Sequence, residues 1–425
     1  MSKLEDYYTA GKSLGIFALT ATLVMTELNL STLIGFSSLG YLYGFSALSL
    51  GMIFLIGLLF YSFVVAKKWK NFDAICVSEF FSQRYNHAFG LLVALCLLTA
   101  MGGFGANFIY STTIYLEQIF PSYNHWLISA VACGLMLLFT IKDGLSIIVK
   151  IDKLSFILSL LLFIYLAYLV YQTDTSSLKS INSSHIQSLP ISFSVSLTVL
   201  TAFTYILSPW YGQKIFAAKN KKVAFYAVIF AAFIVSLIYL IAVYITAKYT
   251  GLFDIKNPDK ALTYIIASLL TKPLLVIFYI VVFLIALTTI AALWNTMASI
   301  YFIHFQKYKT NKNNIITVAA IAILSYMIAN TFIDRVLDKM LLFNIPIAAL
   351  AFSLLYGFYG NKFNLSGAIL SVVVGISSAL YFYLFFKQND FVFYWATISI
   401  PLSFVAGYLP VIINYFKEKN IEIKN

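Results

Sequence analysis

Thr26, Glu27, Asn29, Ser31 and Thr32 crowd into one run, Met-Thr-Glu-Leu-Asn-Leu-Ser-Thr-Leu-Ile-Gly from Met25 to Gly35, in the middle of a long apolar stretch. Carboxylate, amide and hydroxyl oxygens at that density suit a cation or a polar solute. Hydrocarbon offers polar groups no partner. An acid at mid-span costs roughly 2.5–3.5 kcal/mol on insertion scales, so it must face protein, water or an ion. The expectation is a helix that breaks here, with freed carbonyls holding a cation beside a solute. A second break is expected in Thr-Tyr-Ile-Leu-Ser-Pro-Trp from Thr204 to Trp210. Pro209 lacks a backbone donor and disfavours the helical conformation at Ser208.

The elements that must position these residues are transmembrane helices. The chain has 425 residues, of which 61% are hydrophobic and only 10% charged. Continuous apolar runs recur along its whole length, which makes it an all-α polytopic membrane protein. A β-barrel would show alternation instead. The net charge of +12 belongs to lysine-rich loops and does not call for nucleic acid. Cys76, Cys96 and Cys133 are odd in number and lack CxxC spacing, so neither a disulfide framework nor a metal cluster is expected. The N-terminus lacks the charged, apolar and small-residue segments of a cleaved signal peptide.

About 12 spans are expected at the length a bilayer needs: 14–39, 47–65, 89–115, 126–140, 146–171, 189–210, 223–249, 274–305, 315–332, 340–359, 365–386 and 391–415. They form one transmembrane domain over residues 1–425, and its longest polar loop is 172–187. Placing both termini in the cytoplasm puts Lys67, Lys68, Lys70 and Arg84 inside, with Lys142, Lys150 and Lys153. It does the same for Lys214, Lys219, Lys221 and Lys222, for Lys307, Lys309 and Lys312, and for Lys417, Lys419 and Lys424. Roughly 20 of the 28 basic residues then lie on the inner side, as the positive-inside rule requires.

Asp6-Tyr7-Tyr8-Thr9-Ala10-Gly11-Lys12-Ser13-Leu14 resembles the signature before the first core helix of sodium:solute symporters. Ile34-Gly35 with Gly40-Tyr41 resembles the end of that helix, and Ser78-Glu79-Phe80-Phe81-Ser82-Gln83-Arg84-Tyr85-Asn86 the loop that follows later. Asp143-Gly144-Leu145-Ser146 with Asp152, and Gln213-Lys214-Ile215-Phe216-Ala217-Ala218-Lys219, match two further family motifs in the right order. The similarity covers spans one to eight well. It implies a leucine-transporter type of fold, with inverted five-plus-five repeats at 14–171 and 189–359, two extra helices at 365–415, and helices one and six broken at mid-membrane. The family usually carries a further helix ahead of the signature, where this chain nearly begins.

The resemblance also implies a sodium site between helices one and eight. A hard cation of this kind takes about five or six oxygens. The backbone carbonyls of Met25, Leu28 and Ile285 and the hydroxyls of Thr288 and Thr289 would supply them. Read without the resemblance, adjacent threonines bond back to their own helix. Among the 16 Asp and Glu, Glu27 alone is placed deep within a span, where the proline-transporting branch carries an Asp tied to sodium use. It is expected to serve cation coupling or a substrate amine, against the plainer reading of a buried structural acid. Tyr205 and Ser208 are expected to face the solute, and Trp210 to do so or to anchor at the interface. Asn29, Ser31 and Thr32 are candidates for the same cavity, with at least one serving as helix–helix glue. Asn107 is expected to reach the cavity, and Gly102, Gly103 and Gly105 to permit close helix packing. Asp152 is expected in sodium passage, or as a solvated acid at a helix start.

His87, His125, His185 and His304 show no ligand spacing, and neither GxxxxGK[ST] nor HExxH occurs. No nucleophile–base pair stands at mid-depth, so an enzyme is not expected. The leading expectation is a sodium-coupled symporter of a small polar organic solute in a bacterial inner membrane. Sodium is the coupling ion, no other cofactor is needed, and an amino acid such as proline is favoured. A proton-coupled carrier using Glu27 is the variant. A membrane sensor on the same fold is the different-class alternative, and the tail after Tyr415 is expected to be too short for a signalling domain.

Overall fold

The computed structural model describes residues 7–141, 144–174, 188–306, 310–360 and 363–422. Asp6, Lys142, Asp143, Lys307, Lys309, Lys424 and most of the polar loop at 172–187 lie outside the described residues. The helices in chain order are α1 (Ile16–Glu27), α2 (Leu30–Tyr43), α3 (Gly51–Tyr61), α4 (Lys67–Phe72), α5 (Ser78–Arg84), α6 (His87–Glu117), α7 (His125–Ile141), α8 (Gly144–Gln172), α9 (Ile191–Tyr205) and α10 (Pro209–Phe216). They continue as α11 (Lys221–Ala247), α12 (Ala261–Leu269), α13 (Lys272–His304), α14 (Asn311–Thr331), α15 (Val336–Ala349), α16 (Ala351–Tyr359), α17 (Leu365–Phe385), α18 (Gln388–Tyr394) and α19 (Ile400–Glu422). Among the described residues there is no strand, only an isolated bridge between Leu14 and Ala218. Each expected span has a helical counterpart. By length and apolar character, nine helical stretches among the described residues can cross a bilayer, or ten if the bent pair α9–α10 is one span. The expected figure of about twelve also counts α7, which is apolar but shorter, and separates the first span (α1 with α2) from the second (α3), where Leu30–Phe72 runs as one helical stretch.

The first span divides where its polar run lies. Glu27 ends α1, and Leu28 leaves the helix with ψ 71°, far from the helical value near −42°. Asn29 is extended and caps α2, its Oδ1 accepting the Thr32 N–H at 2.8 Å. Such a cap satisfies one of the amides that a new helix leaves without a partner. The Glu27 carbonyl, released from the helix, accepts from Asn29 N (2.7 Å), Asn29 Nδ2 (3.0 Å) and the Tyr239 hydroxyl (2.7 Å). Tyr239 belongs to α11, which packs on α1, α2 and α3 together and so splints the break from one side.

The second break follows the proline. α9 ends at Tyr205, Ser208 turns out with ψ 113°, and Pro209 opens α10 at a position where its missing N–H costs nothing. The two pieces are bent by 47°. Long α6 and α13 stand beside the breaks as continuous posts. A methyl group at Gly103 would fall on the Phe343 ring of α15, and one at Gly105 would crowd Ser325 and Trp294. These two glycines therefore serve close packing, as expected.

At one end of the bundle the two broken spans are joined by main chain. Leu14 N donates to Ala217 O (3.0 Å) and Lys219 N to Leu14 O (2.9 Å). Beside this joint, Asp73 takes Lys70 Nζ at 2.7 Å and Lys12 Nζ at 3.0 Å. Partial burial pushes the Asp73 carboxyl up, but the hydrogen bonds and charges of Lys70 and Lys12 outweigh it and hold the group below its ordinary range.

Candidate functional site

Both breaks open onto one cavity. Thr26, Glu27, Asn29 and Thr32 line it from the first span, and Thr204, Tyr205, Ser208 and Trp210 from the sixth. Phe36, Phe54, Phe104 and Phe108 supply an aromatic wall, and Thr289, Leu293, Met340 and Asn344 complete the far side. The rings form a connected set. Phe54 stacks on Tyr239 with centroids 4.7 Å apart, meets Tyr205 edge-on at 6.0 Å, and Phe104 meets Trp210 edge-on at 5.3 Å. Among the described residues, no Lys, Arg or His lines this space.

Glu27 is 3% exposed, and its Oε2 has no hydrogen-bond partner among the described residues. A buried carboxylate oxygen without a partner is costly unless something else meets it. Glu27 itself lines the cavity.

Of the expected ion ligands, Met25, Ile285 and Thr289 come together between α1 and α13. Thr289 Oγ1 lies 2.8 Å from Ile285 O and 3.0 Å from Met25 O. Thr288 Oγ1 is 3.4 Å from Ile285 O. Leu28 sits at the end of α1, its carbonyl turned out of the helical register. All of these residues are buried. Thr289 also lines the cavity, so one hydroxyl belongs to both the candidate ion position and the solute wall.

Several sequence expectations are corrected. Asn107 does not line the cavity; its Nδ2 donates to Val336 O at 2.9 Å and ties α6 to α15. Ser31 does not line it either. Its hydroxyl bonds Ser111 Oγ (2.8 Å) and Asn107 O (3.2 Å), which makes it the helix–helix glue of its trio. Trp210 borders the cavity and packs on Phe104. Asp152 is not a solvated acid. It is 1% exposed, so Glu27 is not alone among the acids in being buried within a helix.

The largest departure is Lys214, which is not a loop residue. It lies on α10, 1% exposed. Its Nζ donates to Thr22 O at 2.7 Å, to Thr26 Oγ1, and to Asp152 Oδ2 at 3.4 Å. The Thr22 hydroxyl donates to the same Asp152 oxygen. Counting charges by side of the membrane could not find this. The available signal was that Lys214 is followed by Ile215, Phe216, Ala217 and Ala218 before Lys219, so the apolar span runs on past it.

The fold has solved counterparts. A Na+-coupled sialic acid symporter, in a substrate-bound outward-open state, superposes with a TM-score of 0.78 at 14% identity, over 96% of this chain and 92% of that one. Mhp1, a nucleobase-cation-symport-1 family transporter, matches in a closed conformation with bromovinylhydantoin bound (TM-score 0.62, 16% identity, 94% and 93% of the two chains). It also matches in its inward-facing conformation (TM-score 0.60, 14% identity, 95% and 92%). At these identities the likeness carries the fold, which is the leucine-transporter type. Among curated relatives, the uncharacterized symporter YidK of Escherichia coli (strain K12) is 25% identical over 117 residues, 27% of this chain and only 20% of that protein's length. The family assignment rests on a longer match: residues 7–375 fit the sodium:solute symporter family, and the chain belongs to it.

Proposed function

We propose that this membrane protein performs sodium-coupled symport of a small polar solute bearing an amine or ammonium group. The observation that carries the reading is the shared wall. Thr289 faces the cavity while its hydroxyl lies against the Met25 and Ile285 carbonyls. An ion held by Met25, Leu28, Ile285, Thr288 and Thr289 would fix α1 against α13 and set the cavity's shape. Ion and solute would then favour the same conformation, which is what coupling requires.

The solute class follows from what lines the cavity. A buried carboxylate with one oxygen unpartnered among the described residues, and several aromatic faces, attract a cation. Proline is a candidate through its secondary amine. Because no basic side chain among the described residues lines the space, its carboxylate would depend on the N-terminal amides of α2 or α10. Tyr205, Ser208, Asn29 and Thr32 supply the neutral hydrogen-bonding groups, and Asp152 lies on the ion's way out. The reading includes the repeats at 14–171 and 189–359, with 365–415 outside them.

Uptake by proteoliposomes tests this. Labelled proline, a primary amine, a quaternary ammonium and an organic anion are offered with and without an inward sodium gradient. An amine-bearing solute is expected to accumulate only with the gradient. Accumulation of the anion alone would overturn the solute class, and accumulation driven by a pH gradient without sodium would move the coupling to the proton.

The same reading sets the orientation, with both termini in the cytoplasm. Reporter fusions after Lys219 and at the C-terminus are expected to read inside, and one within 172–187 to read outside. An outside signal at the C-terminus would refute an even number of crossings.

A further inference from the structure

Lys214 is the charged group that the transport reading leaves unused. An ammonium has three N–H donors and no acceptor, and each of its three partners can only accept here. Thr22 O is a carbonyl and Asp152 Oδ2 a carboxylate oxygen. The Thr26 hydroxyl has already committed its proton, donating to Thr22 O at 2.8 Å. A neutral amine would turn a lone pair toward one of these acceptors, so the arrangement is built for a full positive charge.

The same oxygens are a cation's donor set. A main-chain carbonyl, a hydroxyl and a carboxylate converge from α1 and α8, and Asp152 Oδ1 has no hydrogen-bond partner among the described residues. The Thr288 hydroxyl of α13 comes close enough to interact with that carboxylate. Thr26 follows Met25 and Thr288 precedes Thr289, so this position lies next to the candidate sodium ligands on both helices.

We infer that the Lys214 ammonium is a tethered cation filling a second cation position formed by Thr22, Thr26 and Asp152, and that deleting it turns the position into a binding site for a free sodium ion. Three physical points support this. The position has hard-oxygen ligands. It holds a buried carboxylate, which is strongly unfavourable without a partner. Truncation to alanine leaves room where the ammonium stood. A lysine on α10 thus supplies from within what a second ion would otherwise have to bring.

Equilibrium binding of radioactive sodium to the purified full-length protein tests it, read as ions bound per chain. Lys214→Ala is expected to bind one more ion than the wild type, and Lys214→Ala/Asp152→Asn to lose that gain. Lys214→Arg keeps the charge and should match the wild type. The readout is a difference, so it stands apart from the proposed transport function: a wild type that binds no sodium sinks the neighbouring ion site but still leaves the gain in Lys214→Ala to be scored. Thermal melting guards against poor folding. Lys214→Ala should be stabilised by sodium chloride more than by choline chloride, and by a larger shift than the wild type shows. Equal stoichiometry in Lys214→Ala and wild type overturns the inference. So does a Lys214→Ala protein that stays unfolded in molar sodium, because the refilled site should restore it.

Discussion

Glu27→Gln is expected to weaken the solute's half-saturating concentration by about 10- to 100-fold while uptake stays sodium-dependent. The substitution keeps the side chain's length and one carbonyl oxygen but removes the charge. A hydrogen bond to a charged group contributes about 1.5–3 kcal/mol, and about 1.4 kcal/mol is a factor of ten. Glu27 lines the cavity, whereas the oxygens gathered around Thr289 come from other residues, so the loss should fall mainly on the solute. Initial uptake rates over a range of solute concentrations give the answer. Two other outcomes have their own signatures. If the carboxyl carries the coupling proton, Glu27→Gln abolishes pH-driven accumulation but leaves solute exchange, which needs no net proton transfer. If it is only a buried acid, Gln is neutral or stabilising, because it lowers the desolvation cost. Wild-type solute affinity, sodium affinity and coupling together would leave only that last reading.

Thr289→Ala is expected to raise the sodium concentration for half-maximal uptake by about 3- to 10-fold, the scale of one neutral oxygen contact at about 0.5–1.5 kcal/mol. The hydroxyl lost is the one that lies against both Met25 O and Ile285 O. Thr289→Ser keeps that oxygen and should stay near the wild type. Thr288→Ala is expected to act in the same direction and more weakly, since its hydroxyl is 3.4 Å from Ile285 O. Sodium titrations of uptake, normalised to the amount of inserted protein, separate these cases. Unchanged sodium dependence in both alanine variants would remove the assignment.

The break in the first span was legible because polar residues at mid-depth have no other physical excuse, and Pro209 announced the second. Which polar residue faces the cavity was not legible. In a continuous helix, Glu27 and Ser31 would share a face, four residues apart. The interruption at Leu28 and Asn29 resets the helical phase, so Glu27 borders the cavity while Ser31 turns to Ser111. Asn107 sits one turn from the packing glycines, but it is held by a carbonyl on α15, a contact that no local pattern encodes. Lys214 was hidden for a different reason. Topology rules count a lysine by the side it reaches, and a long side chain can reach inward to a buried carboxylate as readily as outward to water.

The pairing of Leu14 with Ala217 and Lys219 has a consequence for genetics. Its two hydrogen bonds are made by amide and carbonyl groups common to almost every residue type. Replacing any of the three side chains leaves both bonds intact. An alanine scan would therefore score the junction between the two interrupted spans as dispensable, even if the halves beside it must travel together. Only a change to the backbone itself would expose it, such as proline at Leu14 or Lys219, which deletes the donor.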